Sequence, residues 1–325
     1  MGVKVLFGKD KVQTKEEVER SVLEQVALQS VKEQRAKRRW GVFFKSLFFV
    51  YLLFVLGSVW KNNDASVSLS ESKPHVGIVD LKGVIASDSD ARANYINQSL
   101  TEAMKNKQTK AVIMRINSPG GSPVQSDEIF QHIRALEKEY PQKPIYAVCE
   151  DVCASGGYYI ASAAKDIYAN KMSIVGSIGV IAAGFGFVGA MDKIGVKRRL
   201  YTAGKNKGFL DPFSPQSPEQ KADMDKMLAQ THEVFIQSVE EGRGDRLNLK
   251  EKDTIFSGLP FSGIEGKKLG LIDGFATVRQ LAKDKMDLDE FVNYSRKRTF
   301  FEKVIGDLGG QVVYKLMAYS HLSLK

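Results

Sequence analysis

The chain has 325 residues, 43% of them apolar and 26% charged, an ordinary globular composition with enough length to bury one large core or two modest ones. Its 47 basic and 38 acidic residues leave a formal charge of +9, which would suit nucleic acid or an anionic surface. No aromatic-interleaved basic patch or zinc spacing supports nucleic acid as a partner, and the scattered His75, His132, His232 and His321 offer no metal site.

Residues 1–39 mix charges of both signs over a weak helical stripe of Val18, Val22 and Val26, and read as a cytoplasmic arm. Residues 40–60, WGVFFKSLFFVYLLFVLGSVW, hold one charge, Lys45, and predict a transmembrane helix that anchors the chain in membrane lipid. A cleavable signal peptide is the competing reading, but the charged segment ahead is too long for it. Arg35, Lys37, Arg38 and Arg39 precede the span, whereas Lys61 and Lys73 are balanced by Asp64 and Glu71 beyond it. That asymmetry predicts a cytoplasmic N-terminus and everything after Trp60 outside, a single-pass topology that also accounts for much of the basic excess. The serine-rich residues 61–74 predict a linker, and a folded domain is expected over 75–285.

Within that domain the apolar runs VGIVDL (76–81), AVIMRI (111–116) and PIYAVC (144–149) predict buried strands. Helical patterns cover 94–105, 123–136 and 156–164. Short strands separated by helices predict parallel pairing through crossovers, an α/β core whose ligands bind beyond the carboxyl ends of the strands. Two glycine-pair loops, INSPGGSP and CASGG, leave such ends.

Cys149 and Cys153 read as two buried free thiols, because a bond across CEDVC would need a tight turn rather than an extended strand. The glycine-rich stretch 171–191 reads as close-packed strands and turns near the site. Ser217-Pro-Glu-Gln marks a helix start running to about Glu241. Arg243-Gly244-Asp245 reads as a solvated turn, and Ile264 to Phe275 as a short helix closed by Gly270 and followed by a strand. The C-terminal extension, 286–325, is basic and aromatic, with a surface or interface helix as the expectation.

Ser155, between Ala154 and Gly156-Gly157, is either a turn residue at a helix entry or a nucleophile that needs a base. His132, on the polar margin of an apolar helix, suits a packing role better than that of a base. Lys205 and Lys207 lie in a glycine-bounded loop, where a lysine is ordinarily a solvated charge and acts as a base only if held neutral. The N–H of Gly156 and the loop Ser118-Pro-Gly-Gly could supply an oxyanion hole.

Taken in order, RINSPGGS, CASGGYYIASAA, VGSIGVI and GKNKGFLDPFSP resemble the signal peptide peptidase A (SppA) family of membrane-bound serine peptidases, over residues 76–282. The resemblance implies a Clp/crotonase-type α/β fold with a mostly parallel sheet and crossover helices, here preceded by the transmembrane helix. It places the nucleophile on Ser155 and the base on Lys207, the end of Gly204-x-x-Lys207, with oxyanion donors at Gly121 and Gly156 and a lysine-orienting serine at Ser177. It also implies no metal or cofactor, spent signal peptides and other apolar peptides as substrates, and a homo-oligomeric ring in which Lys207 could act across a subunit boundary. The location expected is the bacterial inner membrane, with the catalytic domain on its outer side. Cys153 and Asn206 depart from the family's commonest pattern without removing a reacting group. Two rivals are a crotonase-like acyl-thioester enzyme, which would need neither Ser155 nor Lys207, and an inactive peptide-binding scaffold.

Overall fold

The computed structural model describes residues 15–64 and 73–296, and the chain separates into two units, Met1–Ser68 and Leu69–Lys325. The described part of the first unit is one helix, α1 (Lys15–Asp64).

Residues 40–60, expected as the membrane span, fall inside α1. Among the described residues no helix is long and apolar enough to cross a membrane. Lys45 interrupts the apolar run, and the same helix continues back through Arg35, Lys37, Arg38 and Arg39. The expected transmembrane helix ahead of the fold, the lipid contact of residues 40–60 and the single-pass inner-membrane location are corrected accordingly.

The second unit alternates strand and helix: β1 (His75–Lys82), α2 (Ala93–Lys105), β2 (Thr109–Ser118), α3 (Pro123–Glu139), β3 (Ile145–Ala154), α4 (Gly156–Ser162), β4 (Asp166–Ala169) and β5 (Ile174–Gly176). After the long segment 177–217 follow α5 (Val188–Lys193) within it, α6 (Pro218–Arg243), α7 (Lys252–Ile255), β6 (Pro260–Ser262), α8 (Gly263–Lys268), β7 (Gly274–Phe275), α9 (Val278–Met286) and β8 (Phe291–Asn293). The sheet runs β6-β5-β3-β2-β1-β8, with β4 pairing β3 and β7. Among the described residues only the β5–β6 pair is antiparallel.

The three long strands are apolar on both faces because helices cover both. On one side Val79, Leu81, Met114 and Ile116 pack with Ile129 and Ile133 of α3 and Tyr158 of α4; on the other Val76, Ile78, Ile113 and Val148 pack with Leu281 of α9. Ser122 caps α3 ahead of Pro123. At α6 the Ser217 hydroxyl accepts from the Gln220 amide and the Gln220 side chain accepts from the Ser217 amide, a complete capping box.

Three local expectations change. Cys149 and Cys153 form a disulfide with Cα atoms 5.4 Å apart, because β3 is bulged rather than evenly extended. Ile116 pairs Cys149 and Ser118 pairs Cys153, so two steps of β2 face four of β3. Asn117 holds the bulge, donating to Asp151 at 2.9 Å and accepting from the Val152 amide at 3.3 Å.

Residues 181–187 are exposed rather than close-packed, with Ile181 90% and Phe185 83% accessible. Arg243 is not in a solvated turn: it is 1% exposed and its guanidinium grips Gly270 O and the Asp273 carboxylate. Of the C-terminal extension, residues 297–325 lie outside the described residues.

Candidate active site

Parallel strands end in loops that point the same way, and the two glycine-pair loops meet at the carboxyl ends of β2 and β3. Ser155 caps the N-terminus of α4 with φ 51° and ψ −125°. A side chain at positive φ is strained, and such strain persists only where the surroundings hold it. Here they do: the Ser155 amide donates to Gly176 O at 2.8 Å, and its carbonyl accepts from the Tyr159 amide at 2.9 Å.

The β2 loop closes against this turn. Gly120, at φ 100°, sits so close that a Cβ there would stand 2.7 Å from the Gly156 nitrogen and 2.8 Å from Ser155 Cβ. Gly121, at φ 152°, pairs with Ile85, whose carbonyl a Cβ would overlap. On the facing side a Cβ on Gly156 would meet Ser126 Oγ at 2.5 Å and the Gly121 nitrogen at 3.3 Å. The Gly121 and Gly156 amides therefore lie side by side. Neither donates to any acceptor among the described residues.

Gly121, Ser155, Gly156 and Ser177 line one cavity of about 880 Å³, walled by Val124 of α3, Tyr159 of α4 and Val234 and Phe235 of α6. Ser177 has φ 52°, and its hydroxyl donates to Gly258 O at 3.2 Å. A serine, two unsatisfied amides and an apolar-walled space are the parts of a site that binds a carbonyl and attacks it.

Residues 137–291 match the family model described as peptidase family S49. The match is to a family of peptidases, and several relatives are named as proteases. The S49 match runs from the end of α3 to β8, so it includes Ser155, Ser177 and Lys207 and leaves the Gly120-Gly121 loop before it.

Curated relatives include a Brucella abortus protein named as a Na(+)/H(+) antiporter, 46% identical over 184 residues, which are 57% of this chain and 25% of that protein. A Methanocaldococcus jannaschii protein named provisionally as a protease is 34% identical over 203 residues, 62% of this chain and 63% of its own. Protease 4 of Haemophilus influenzae is 31% identical over 205 residues, 61% of this chain and 32% of its own. This chain thus spans less than two thirds of the length of each of these relatives.

Lys207 is the expected site residue that the structure does not bring to the cavity. It is exposed, its amide donating to Gly204 O at 3.1 Å, in the arm that follows β5. Lys205 is paired with Glu219 at 2.8 Å, and that hydrogen bond raises its pKa, the wrong direction for a base. His132 lies away from the cavity on α3, bonded to Thr101 Oγ1 at 2.8 Å, with burial lowering its pKa.

Sequence reasoning missed Gly120 as the residue that lets the loops touch, although it is half of the quoted pair. It also missed Asp127 and Tyr159 as walls of the cavity. Tyr159 carried a usable signal, standing one helical turn after Ser155.

A methyl group on Gly121 tests the amide wall. Gly121→Ala must push the loop off Ile85, and the expected result is a loss of about 10²–10³ in kcat, the cost of one oxyanion donor. Peptide hydrolysis kinetics, with circular dichroism confirming the fold, measure it.

Proposed function

We propose that this chain hydrolyses peptide bonds through an acyl-enzyme on Ser155, with the Gly121 and Gly156 amides as oxyanion donors and Lys207 as the base. The observation that carries the reading is the pair of unsatisfied amides beside a serine held at positive φ in a peptide-sized cavity. The two rival readings fit less well, since neither an acyl-thioester enzyme nor a scaffold needs the strained serine.

The Ser155 hydroxyl attacks the scissile carbonyl while a neutral lysine amine takes its proton. The carbonyl oxygen gains negative charge facing the two glycine amides. The lysine ammonium then gives its proton to the departing amine, leaving an ester on Ser155. Water, deprotonated by the same lysine, attacks that ester, and collapse releases the acid and restores the serine.

A cavity without its lysine needs one delivered. The arm carrying Lys207 exposes Ile181, Phe185, Ile194 and Tyr201, from 74% to 90% accessible, and α5 buries none of its side chains. Such a surface is covered when it packs on protein. The reading is that the arm lies on a second copy of the chain, so that Lys207 of one copy serves Ser155 of the other. The assignment to spent signal peptides, which the family resemblance implied, is withdrawn together with the membrane anchor.

Mixing two inactive variants tests the reading. Ser155→Ala and Lys207→Ala are each expected to be inactive, and their co-refolded mixture to regain about a quarter of wild-type peptidase activity through sites built from two copies. If the mixture stays inactive while wild type cleaves, the shared site is wrong. If Lys207→Ala alone stays active, another group is the base.

A further inference from the structure

We infer that Asp127 selects lysine or arginine at the substrate residue that supplies the scissile carbonyl. This rests on Ser155 being the nucleophile, and deepens that reading by naming the substrate class.

Asp127 lies on the first turns of α3, next to Ser126, whose hydroxyl sits where a Gly156 Cβ would be. It lines the same cavity as Gly121, Ser155 and Gly156. Tyr159, one turn into α4 from Ser155, donates its hydroxyl to Asp127 Oδ1 at 2.8 Å and lies 2.7 Å from Ser238 Oγ. Burial, with the bond to Asp127 adding to it, pushes the Tyr159 hydroxyl up to about 12, so it remains a proton donor across the working range. Gln131 also donates to Oδ1, at 3.3 Å.

Both contacts use one carboxylate oxygen. Oδ2 has no partner among the described residues, and Asp127 makes no ion pair among them. Oδ2 is thus left to solvent in the cavity, where a bound cation would find an unused acceptor. The cavity supplies none: its lining includes Asp127 and Glu128 but no lysine, arginine or histidine.

The remaining walls are apolar at Val124, Val234 and Phe235. A cavity with apolar walls and the carboxylates of Asp127 and Glu128 along one side fits a side chain with a methylene stem and a cationic head, which is lysine or arginine. A glutamate in the same place would face two negative charges, and leucine would leave Oδ2 without a charged partner.

The competing role for Asp127 is purely structural, as acceptor for the Tyr159 hydroxyl. Asp127→Asn separates the two, because asparagine keeps the shape and an acceptor for Tyr159 but removes the charge. The probes are three peptides identical except for arginine, leucine or glutamate before the scissile bond.

Wild type should rank arginine first and glutamate last in kcat/KM. Asp127→Asn should reduce the arginine-to-leucine ratio about 10- to 100-fold, mainly through KM for the arginine peptide. An unchanged ratio with both rates lowered together, or a wild-type preference for leucine, overturns the inference.

Binding of the arginine and leucine peptides to Ser155→Ala, by calorimetry, keeps the two readings apart. Tighter arginine binding that Asp127→Asn abolishes upholds the inference even if Ser155 proves not to be the nucleophile. Equal binding of both peptides overturns it even if Ser155 does cleave them.

Discussion

Replacing Ser155 with alanine is expected to lower peptide hydrolysis by about 10⁴-fold or more, as removal of a serine nucleophile does elsewhere. The variant tests chemistry rather than folding. Alanine keeps the Cβ that already exists at φ 51°, and the turn is fixed by main-chain bonds from Ser155 to Gly176 and from Tyr159 to Ser155 that it does not touch. The melting temperature should stay within a few degrees, as for a change with no buried partner lost. Any residual rate over water reports the Gly121 and Gly156 amides alone, which continue to bind the carbonyl oxygen. Steady-state kinetics beside a thermal melt check both halves. A variant that retains a tenth or more of the wild-type rate is incompatible with an acyl-enzyme on Ser155.

The largest effect on stability is expected at Arg243. Its side chain is fully buried at the end of α6, and Nη1 and Nη2 grip Asp273 at 2.7 and 3.1 Å, while Nε and Nη2 reach Gly270 O at 3.0 and 2.8 Å. Asp273 in turn accepts from the Ile167 amide of β4 at 2.7 Å. One guanidinium thus ties α6 to β4 and to the loop before β7. Arg243→Met removes the charge and keeps most of the volume, leaving Asp273 to the Ile167 amide and to Arg246 at 3.6 Å. The expected cost is about 3–5 kcal/mol in urea unfolding.

Burial pushes the Asp273 carboxyl up, but the hydrogen bonds and charge of Arg243 more than offset it and hold its pKa below the usual carboxylate value. A carboxyl depressed on folding contributes stability that is present above its unfolded pKa of about 3.9 and is lost as pH falls through the folded value. Wild type should therefore lose this contribution below about pH 4, and Arg243→Met, which keeps only the Ile167 amide and Arg246 beside Asp273, should show a smaller pH dependence. A cost under about 1 kcal/mol would show that the pair is not what joins these elements.

Much of the domain was legible because local chemistry and global fold agree there. Buried parallel strands carry unbroken apolar runs, and β1, β2 and β3 lie where those runs stand. The α6 start was explicit in Ser217-Pro218-Glu219-Gln220, because capping is a contact between near neighbours in sequence.

What stayed hidden depends on residues far apart in sequence. The bulge that brings Cys149 to Cys153 is set by the register of β3 against β2, which no run of residues within β3 reveals. Arg243 looked like a turn residue because its partners lie 27 and 30 positions away. Residues 181–187 looked like core because they are apolar, yet none of the described residues buries them.

The same limit applies to the site. The glycine pairs and Ser155 announce themselves as turn chemistry at strand ends, and the structure puts them in contact. Asp127 gave no signal, since an aspartate on the polar side of a helix is ordinarily solvated, and only the approach of Tyr159 gives it a role. Residues 40–60 show the opposite error: the apolar run and the charges ahead of it were read as a span and its cytoplasmic flank, whereas they belong to one helix that is not apolar enough to cross a membrane.

The most direct test that Ser155 is the nucleophile is treatment of the full chain with an alkyl fluorophosphonate, followed by peptide mapping in a mass spectrometer. The expected result is one adduct, on Ser155, whose growth parallels the loss of peptidase activity and which is absent from Ser155→Ala. An adduct on Ser126 or Ser177 instead, or peptide cleavage that survives complete modification of Ser155, would contradict it.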